Sequence, residues 1–127
     1  MKHKIIFFGD SITAAGRSKA NLLGDGFVSM VATAIHTKSN DSEIEIVNSG
    51  INGNTVQDLQ RRFPSDVVNH RPDAVVIKIG INDAYLDVMS AQGHDLLQQY
   101  EGDYRALIQS LQRACPQSQI LLLTPYY

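Results

Sequence analysis

Four short apolar runs alternate along the chain with longer segments of helical periodicity, and that alternation limits the fold more than any other feature. The runs are Ile5 to Phe8, Glu43 to Asn48, Ala74 to Ile79 and Ile120 to Leu123. Each is too short for a helix: Ile5 to Phe8 is β-branched or aromatic throughout, Glu43 to Asn48 alternates Ile44 and Ile46 with Glu43 and Glu45, Ala74 to Ile79 is apolar except for Lys78, and Ile120 to Leu123 is apolar throughout. Between them, Gly26 to Lys38 places Phe27, Met30, Val31, Ala34 and Ile35 at steps of three and four. A second helix runs from Thr55 to about Asn69 with Val56, Leu59, Phe63 and Val67 inward and a kink or break at Pro64. A third runs from Asp95 to Ala114, lined by Leu96, Leu97, Tyr100, Tyr104, Leu107, Ile108 and Leu111, and stops at Pro116. Strands alternating with helices predict an α/β layered domain built on a parallel sheet. Asp25 is the expected N-cap of the first helix, and Thr55 with Asp58 resembles a capping box with Asp in place of Glu. Thr13 to Gly26 reads as a loop with a helical turn near Lys19 to Leu23. Ser39 to Ser42 reads as a turn, and Ala84 to Gly93 as a loop or short helix.

Three of the apolar runs end in polar tips: Asp10-Ser11, Asn52-Gly53 and Asn82-Asp83. In a parallel sheet all three leave the same edge, and ligands of open α/β sheets bind outside the carboxyl ends of the strands. Gly, Asp, Asn and Ser also make ordinary turns, so one such tip carries little. Three at one edge supply a set. Ser11 offers a hydroxyl nucleophile. The amides of Ser11 and Gly53 and the side-chain amide of Asn82 offer donors for one developing oxyanion. Glycine at 53 lets a substrate approach the backbone, and equally suits a tight turn before the helix.

Composition narrows the function classes. The chain has 127 residues, 43% of them hydrophobic and 19% charged, which is ordinary for one domain with a core. A net charge of −2, with both signs scattered, gives no basic face for nucleic acid. No stretch approaches the roughly 18 apolar residues of a membrane span. The run after the basic Met1 to Lys4 is too short for a signal peptide, and a lone Cys115 makes no internal disulfide. The expectation is a cytoplasmic protein forming a single domain over residues 1–127, without repeats or linkers.

Gly9-Asp10-Ser11-Ile12, Asn48-Ser49-Gly50-Ile51-Asn52-Gly53-Asn54-Thr55 and Gly80-Ile81-Asn82-Asp83 resemble, in order and spacing, the first three sequence blocks of the SGNH hydrolases, also called GDSL lipases and esterases. The resemblance spans the chain; Ile12 stands where the family usually has leucine. It implies a flavodoxin-like three-layer α/β/α fold with strand order 2-1-3-4 and a fifth strand not present here. It implies hydrolysis of small-molecule acyl esters through an acyl-enzyme on Ser11, with Gly53 and Asn82 completing the oxyanion hole and no cofactor or metal. The family's fourth block holds an aspartate and a histidine three residues apart near the C-terminus, and nothing like it occurs in this sequence. Of the four histidines, His3, His36 and His70 are expected away from the tips, and only His94 follows one. The chain is therefore expected to lack its base-bearing segment, to be nearly inactive alone and to self-associate through the edge strand Ile120 to Leu123. Two other readings stay open: a non-catalytic acyl-binding form of the same fold, and a flavodoxin-like nucleotide or phosphate binder using the tip at Ser49 to Thr55 before a helix N-terminus.

Overall fold

A computed structural model describes residues 2–39, 43–90 and 95–125. In chain order its elements are β1 (His3–Gly9), α1 (Ser11–Ala14), α2 (Phe27–Ser39), β2 (Ile44–Gly50), α3 (Val56–Asp66), a 3₁₀ turn (Val68–His70), β3 (Ala74–Lys78), α4 (Ile81–Met89), α5 (Asp95–Ala114) and β4 (Gln119–Leu123). The four strands form one parallel sheet in the order β2-β1-β3-β4, as the alternation predicts. In the register Gly9 lies opposite Gly50 on one side and Lys78 on the other. The three segments that follow, at residues 10, 51 and 79, therefore leave the sheet side by side.

Alternation along β1 divides the molecule into layers. Ile6 and Phe8, both fully buried, join Val75, Ile77 and Ile79 under α3 and α5, which contribute Val56, Leu59, Leu107 and Leu111. Phe7 points to the other face, where its ring meets Phe27 of α2 edge-on at 5.8 Å. Helices thus cover both faces of the sheet, the three-layer arrangement. Among the described residues β4 pairs only with β3, and Leu121, Leu122 and Leu123 keep 48%, 50% and 39% of their surface exposed.

Several local expectations are corrected. On α2 the buried residues are Val28 and Ala32, while Met30 is 72% exposed; almost every position from 27 to 35 is apolar, so periodicity alone admits more than one inward face. Leu97 of α5 is likewise exposed. No helix forms at 19–23; the helical turn of that region is α1, started by the Asp10 side chain. Residue 26, not 25, precedes α2, and the Asp25 carboxylate accepts instead from Asn21 Nδ2 at 2.8 Å. Pro64 is carried inside the last turn of α3, which ends at Asp66, and residues 68–70 form a separate 3₁₀ turn. So close to the helix end a missing amide costs only the bond to the Gln60 carbonyl. The segment after β3 is helical from Ile81, which puts Asn82 and Asp83 in a first helical turn, not a loop. The predicted turn at Asn40 to Ser42, residues 91–94 with His94, and Tyr126-Tyr127 lie outside the described residues.

Candidate active site

Asp10 sets the first tip. It is 1% exposed, its backbone is extended, and its Oδ1 accepts the Ile12 amide at 3.0 Å. That cap starts α1 at Ser11, which is exposed. Among the described residues its hydroxyl has no hydrogen-bond partner. The second tip lies against the first: the Ile51 amide donates to the Gly9 carbonyl at 3.1 Å. The end of β2 also packs onto α1 so closely that a Cβ at Gly50 would collide with the Ala14 backbone.

Gly53 sits in the turn that leads from β2 into α3, closed by the Asn54 amide on the Ile51 carbonyl at 3.3 Å. Its φ of +82° explains the glycine, since side chains disfavour that backbone, while a Cβ there would meet nothing within 4 Å. Its amide makes no hydrogen bond among the described residues. The third tip reaches across to this turn. Asn82 Nδ2 donates to the Asn54 carbonyl at 2.9 Å, and both oxygens of Asp83 lie 3.2 Å from the Val56 amide. Neighbours on the first turn of α4 thus clasp the segment that follows Gly53. All three expected site residues stand at the carboxyl edge of the sheet, and two tips are bonded directly to each other.

Three side chains that support this edge are absent from the sequence-based set of site residues. Asn48, 5% exposed, donates to the carbonyls of Thr13 and Leu23 at 2.8 and 2.9 Å and accepts the Gly50 amide at 3.0 Å, pinning the long loop to β2. Arg17 donates to the Gly50 carbonyl through Nη2 at 2.6 Å and Nε at 3.2 Å. Arg62 of α3 bonds to the ends of β1 and β2 and to Asn54. The signal for Arg62 was its position, three residues after Leu59 on the inward stripe of an otherwise apolar face. The signal for Asn48 was an amide at the end of a predicted strand.

Burial pushes the Asp10 carboxyl above its ordinary value, opposed by the Ile12 amide and the Lys78 charge. Burial does the same to Asp83, with the Val56 amide opposing it and the charges of Asp58 and Asp10 adding to it. Both carboxylates serve backbone amides. At the start of α3, Asp58 Oδ2 takes the Thr55 amide at 2.8 Å, as the capping-box pattern predicts, and Asp83 takes that of Val56. Carboxylates therefore occupy the helix N-terminus that a phosphate binder would use, which disfavours the nucleotide reading. His3, 3.7 Å from Asp73, His36, 3.0 Å from the Ile44 carbonyl, and His70 before β3 all stand at the amino edge of the sheet. Among the described residues, no histidine is at the edge that holds Ser11.

Comparison with known proteins gives a consistent set of relatives. The model of the GDSL-like lipase/acylhydrolase family matches residues 7–127. An acetylxylan esterase of Geobacillus stearothermophilus is 37% identical over 98% of this chain and 60% of its own length. A GDSL esterase/lipase of Arabidopsis thaliana is 31% identical over 98% of this chain and 51% of its own. The crystal structure of the Geobacillus enzyme superposes with a TM-score of 0.85 at 36% identity, over 98% of this chain and 60% of that one. A GDSL-like lipase of Parabacteroides merdae gives 0.86 at 32% identity, over 95% and 58%. The Geobacillus enzyme has also been solved as catalytic mutants in which a serine, an aspartate or a histidine is replaced by alanine. This chain spans between about half and three fifths of the length of these relatives.

Proposed function

The chain belongs to the GDSL-like lipase/acylhydrolase family, and from that premise we propose that it supplies the nucleophile and the oxyanion donors of a serine ester hydrolase. Ser11 Oγ attacks the acyl carbonyl as a base removes its proton. The carbonyl oxygen becomes an oxyanion held by the amides of Ser11 and Gly53 and by the side chain of Asn82. Asn82 Nδ2 carries two N–H groups, and its bond to Asn54 uses one of them. The other is free for the oxyanion. Collapse expels the alcohol, which takes up the proton, and water then releases the acid from the Ser11 ester. The observation that carries this reading is an exposed serine with an unpartnered hydroxyl at the sheet edge where Asn82 is tied to the Gly53 turn.

The similarity to an acetylxylan esterase supports acetyl esters of carbohydrate as the substrate class. The base is to be sought beyond the described residues, at His94 or in sequence outside residues 1–127. The test is acetate release from acetylated xylo-oligosaccharides and from an activated aryl acetate. Ser11→Ala should remove turnover, by analogy with serine hydrolases in which loss of the nucleophile costs about 10⁶-fold in kcat. Turnover within about tenfold of the parent would overturn the assignment. His94→Gln, measured alongside, separates the two sources of the base.

A further inference from the structure

We propose that Arg62 is the positioning residue of this site, its guanidinium setting the placement of the Ser11 turn relative to both oxyanion donors. The proposal rests on the roles given above to Ser11, Gly53 and Asn82. Arg62 lies on the inner face of α3 with its side chain 13% exposed, stacked over the ring of fully buried Phe8 with its central carbon 4.6 Å from the ring centre. Its polar atoms all turn toward the strand ends and their loops or toward Asp66. Nη2 donates to the Gly9 carbonyl at 2.9 Å, the last residue of the nucleophile strand. Nη1 donates to the carbonyl and hydroxyl of Ser49, each at 3.0 Å, near the end of β2. Nε donates to Asn54 Oδ1 at 2.8 Å. Asn54 follows Gly53 directly, and its carbonyl holds Asn82. One rigid plane therefore joins the strand that delivers Ser11, the strand that delivers Gly53, and the residue through which Asn82 is tied.

The chemistry requires arginine. A guanidinium offers five donors in a fixed planar fork, whereas the three donors of a lysine ammonium radiate from a single nitrogen and do not span acceptors spread around that fork. The charge is expensive where it sits. Burial pushes the guanidinium down from its ordinary value, and the bond to Asp66 at 2.9 Å opposes that effect. An apolar side chain would pack against Phe8 without this cost, and exchanging buried ion pairs for apolar residues is often neutral or stabilising. What an apolar residue cannot do is hold two strand carbonyls and the Asn54 side chain at set distances. A misplacement of about 1 Å in reacting groups costs on the order of 10² in rate.

The experiment uses the protein in the form whose turnover depends on Ser11. Arg62→Lys should lower kcat about 10²-fold while KM changes by less than about threefold. Leu111→Ala, in the core away from the tips, controls for stability: it should lower the melting temperature at least as much and leave kcat intact at a temperature where both variants are folded. Guanidinium ion, added below the concentration that lowers the melting temperature, should restore part of the turnover of Arg62→Ala, and equal sodium chloride should not. If Arg62→Ala does not fold, Arg62→Lys decides alone. Independently of activity, NMR spectra of Arg62→Lys should displace the Gly53 and Asn54 amides and the Asn82 side-chain amide while those of Val75 and Ile77 stay. Parental kcat in Arg62→Lys, a loss matched by Leu111→Ala, or unmoved Gly53 and Asn82 resonances would overturn the proposal. If Ser11→Ala keeps turnover, the esterase reading falls, and the NMR displacement still decides whether Arg62 positions the tips.

Discussion

Replacing Asn82 by alanine separates the two tasks the structure gives that side chain. One N–H of Nδ2 holds the Asn54 carbonyl at 2.9 Å, and the other is assigned to the oxyanion. The first is a partly buried neutral hydrogen bond, worth about 1 kcal/mol net. In a domain of 127 residues that corresponds to roughly 3–6 °C in melting temperature. The variant should therefore be folded at 25 °C. The second bond is made fully only in the transition state, and removing one such donor costs about 10²–10³ in kcat, or roughly 2.7–4 kcal/mol. Initial rates across ester concentrations, with melting followed by circular dichroism, should give a fall in kcat of that size, a nearly constant KM and a small stability loss. Asn82→Asp should do no better, because a carboxylate has no donor and would set its oxygen against the Asn54 carbonyl beside Asp83. A kcat within about threefold of the parent, or a change confined to KM, would refute the assignment of Asn82 to the transition state.

Asn48→Leu leaves the carbonyls of Thr13 and Leu23 and the Gly50 amide without their partner; at about 1–3 kcal/mol for each group left unsatisfied, urea unfolding should register a loss of at least about 3 kcal/mol. A loss under about 1 kcal/mol would mean that water replaces the amide. Asp83 makes a prediction about pH. Its folded value is raised above the ordinary 3.8, so the folded state holds the proton more tightly than the unfolded state. Its contribution to stability is therefore full below 3.8 and is lost as pH rises through the raised value. Asp83→Asn should remove that decline, so melting curves from about pH 4 to about pH 8 should shift progressively in favour of the variant, and parallel curves would contradict the raised value. Residues 1–127 expressed alone should self-associate through β4, whose leucines are exposed and which, among the described residues, pairs on one side only. Sedimentation should detect the association and Leu122→Lys should abolish it; a monomer at every concentration would count against an open edge.

The sheet was legible because its strands are short, apolar and separated by strongly periodic helices. The tips were legible because polar residues cut those strands off at the same end. Side-chain direction within a helix was less so. Phe27 to Ile35 is apolar on nearly every side, and the small Ala32 packs inward in place of Met30. The helix at Ile81 was hidden because Gly80 and two polar residues begin it, and Asp83 becomes a favourable first-turn residue only once the helix exists. Arg62 was hidden for a related reason. A sequence displays its charge, but not the Gly9, Ser49 and Asn54 oxygens that the fold gathers around it. Glycine at 53 suited either substrate approach or a tight turn, and its left-handed backbone in the turn before α3 supplies the second cause directly.

Covalent labelling shows whether Ser11 is the nucleophile. An activated serine, and no other, reacts quickly with a fluorophosphonate, because the reagent mimics the tetrahedral intermediate and uses the same donors. The protein in its active form is treated, digested and mapped by mass spectrometry. One adduct is expected, on Ser11, absent from Ser11→Ala and formed much more slowly in Asn82→Ala. An adduct on a different residue, or full ester turnover with Ser11 left unmodified, would contradict it.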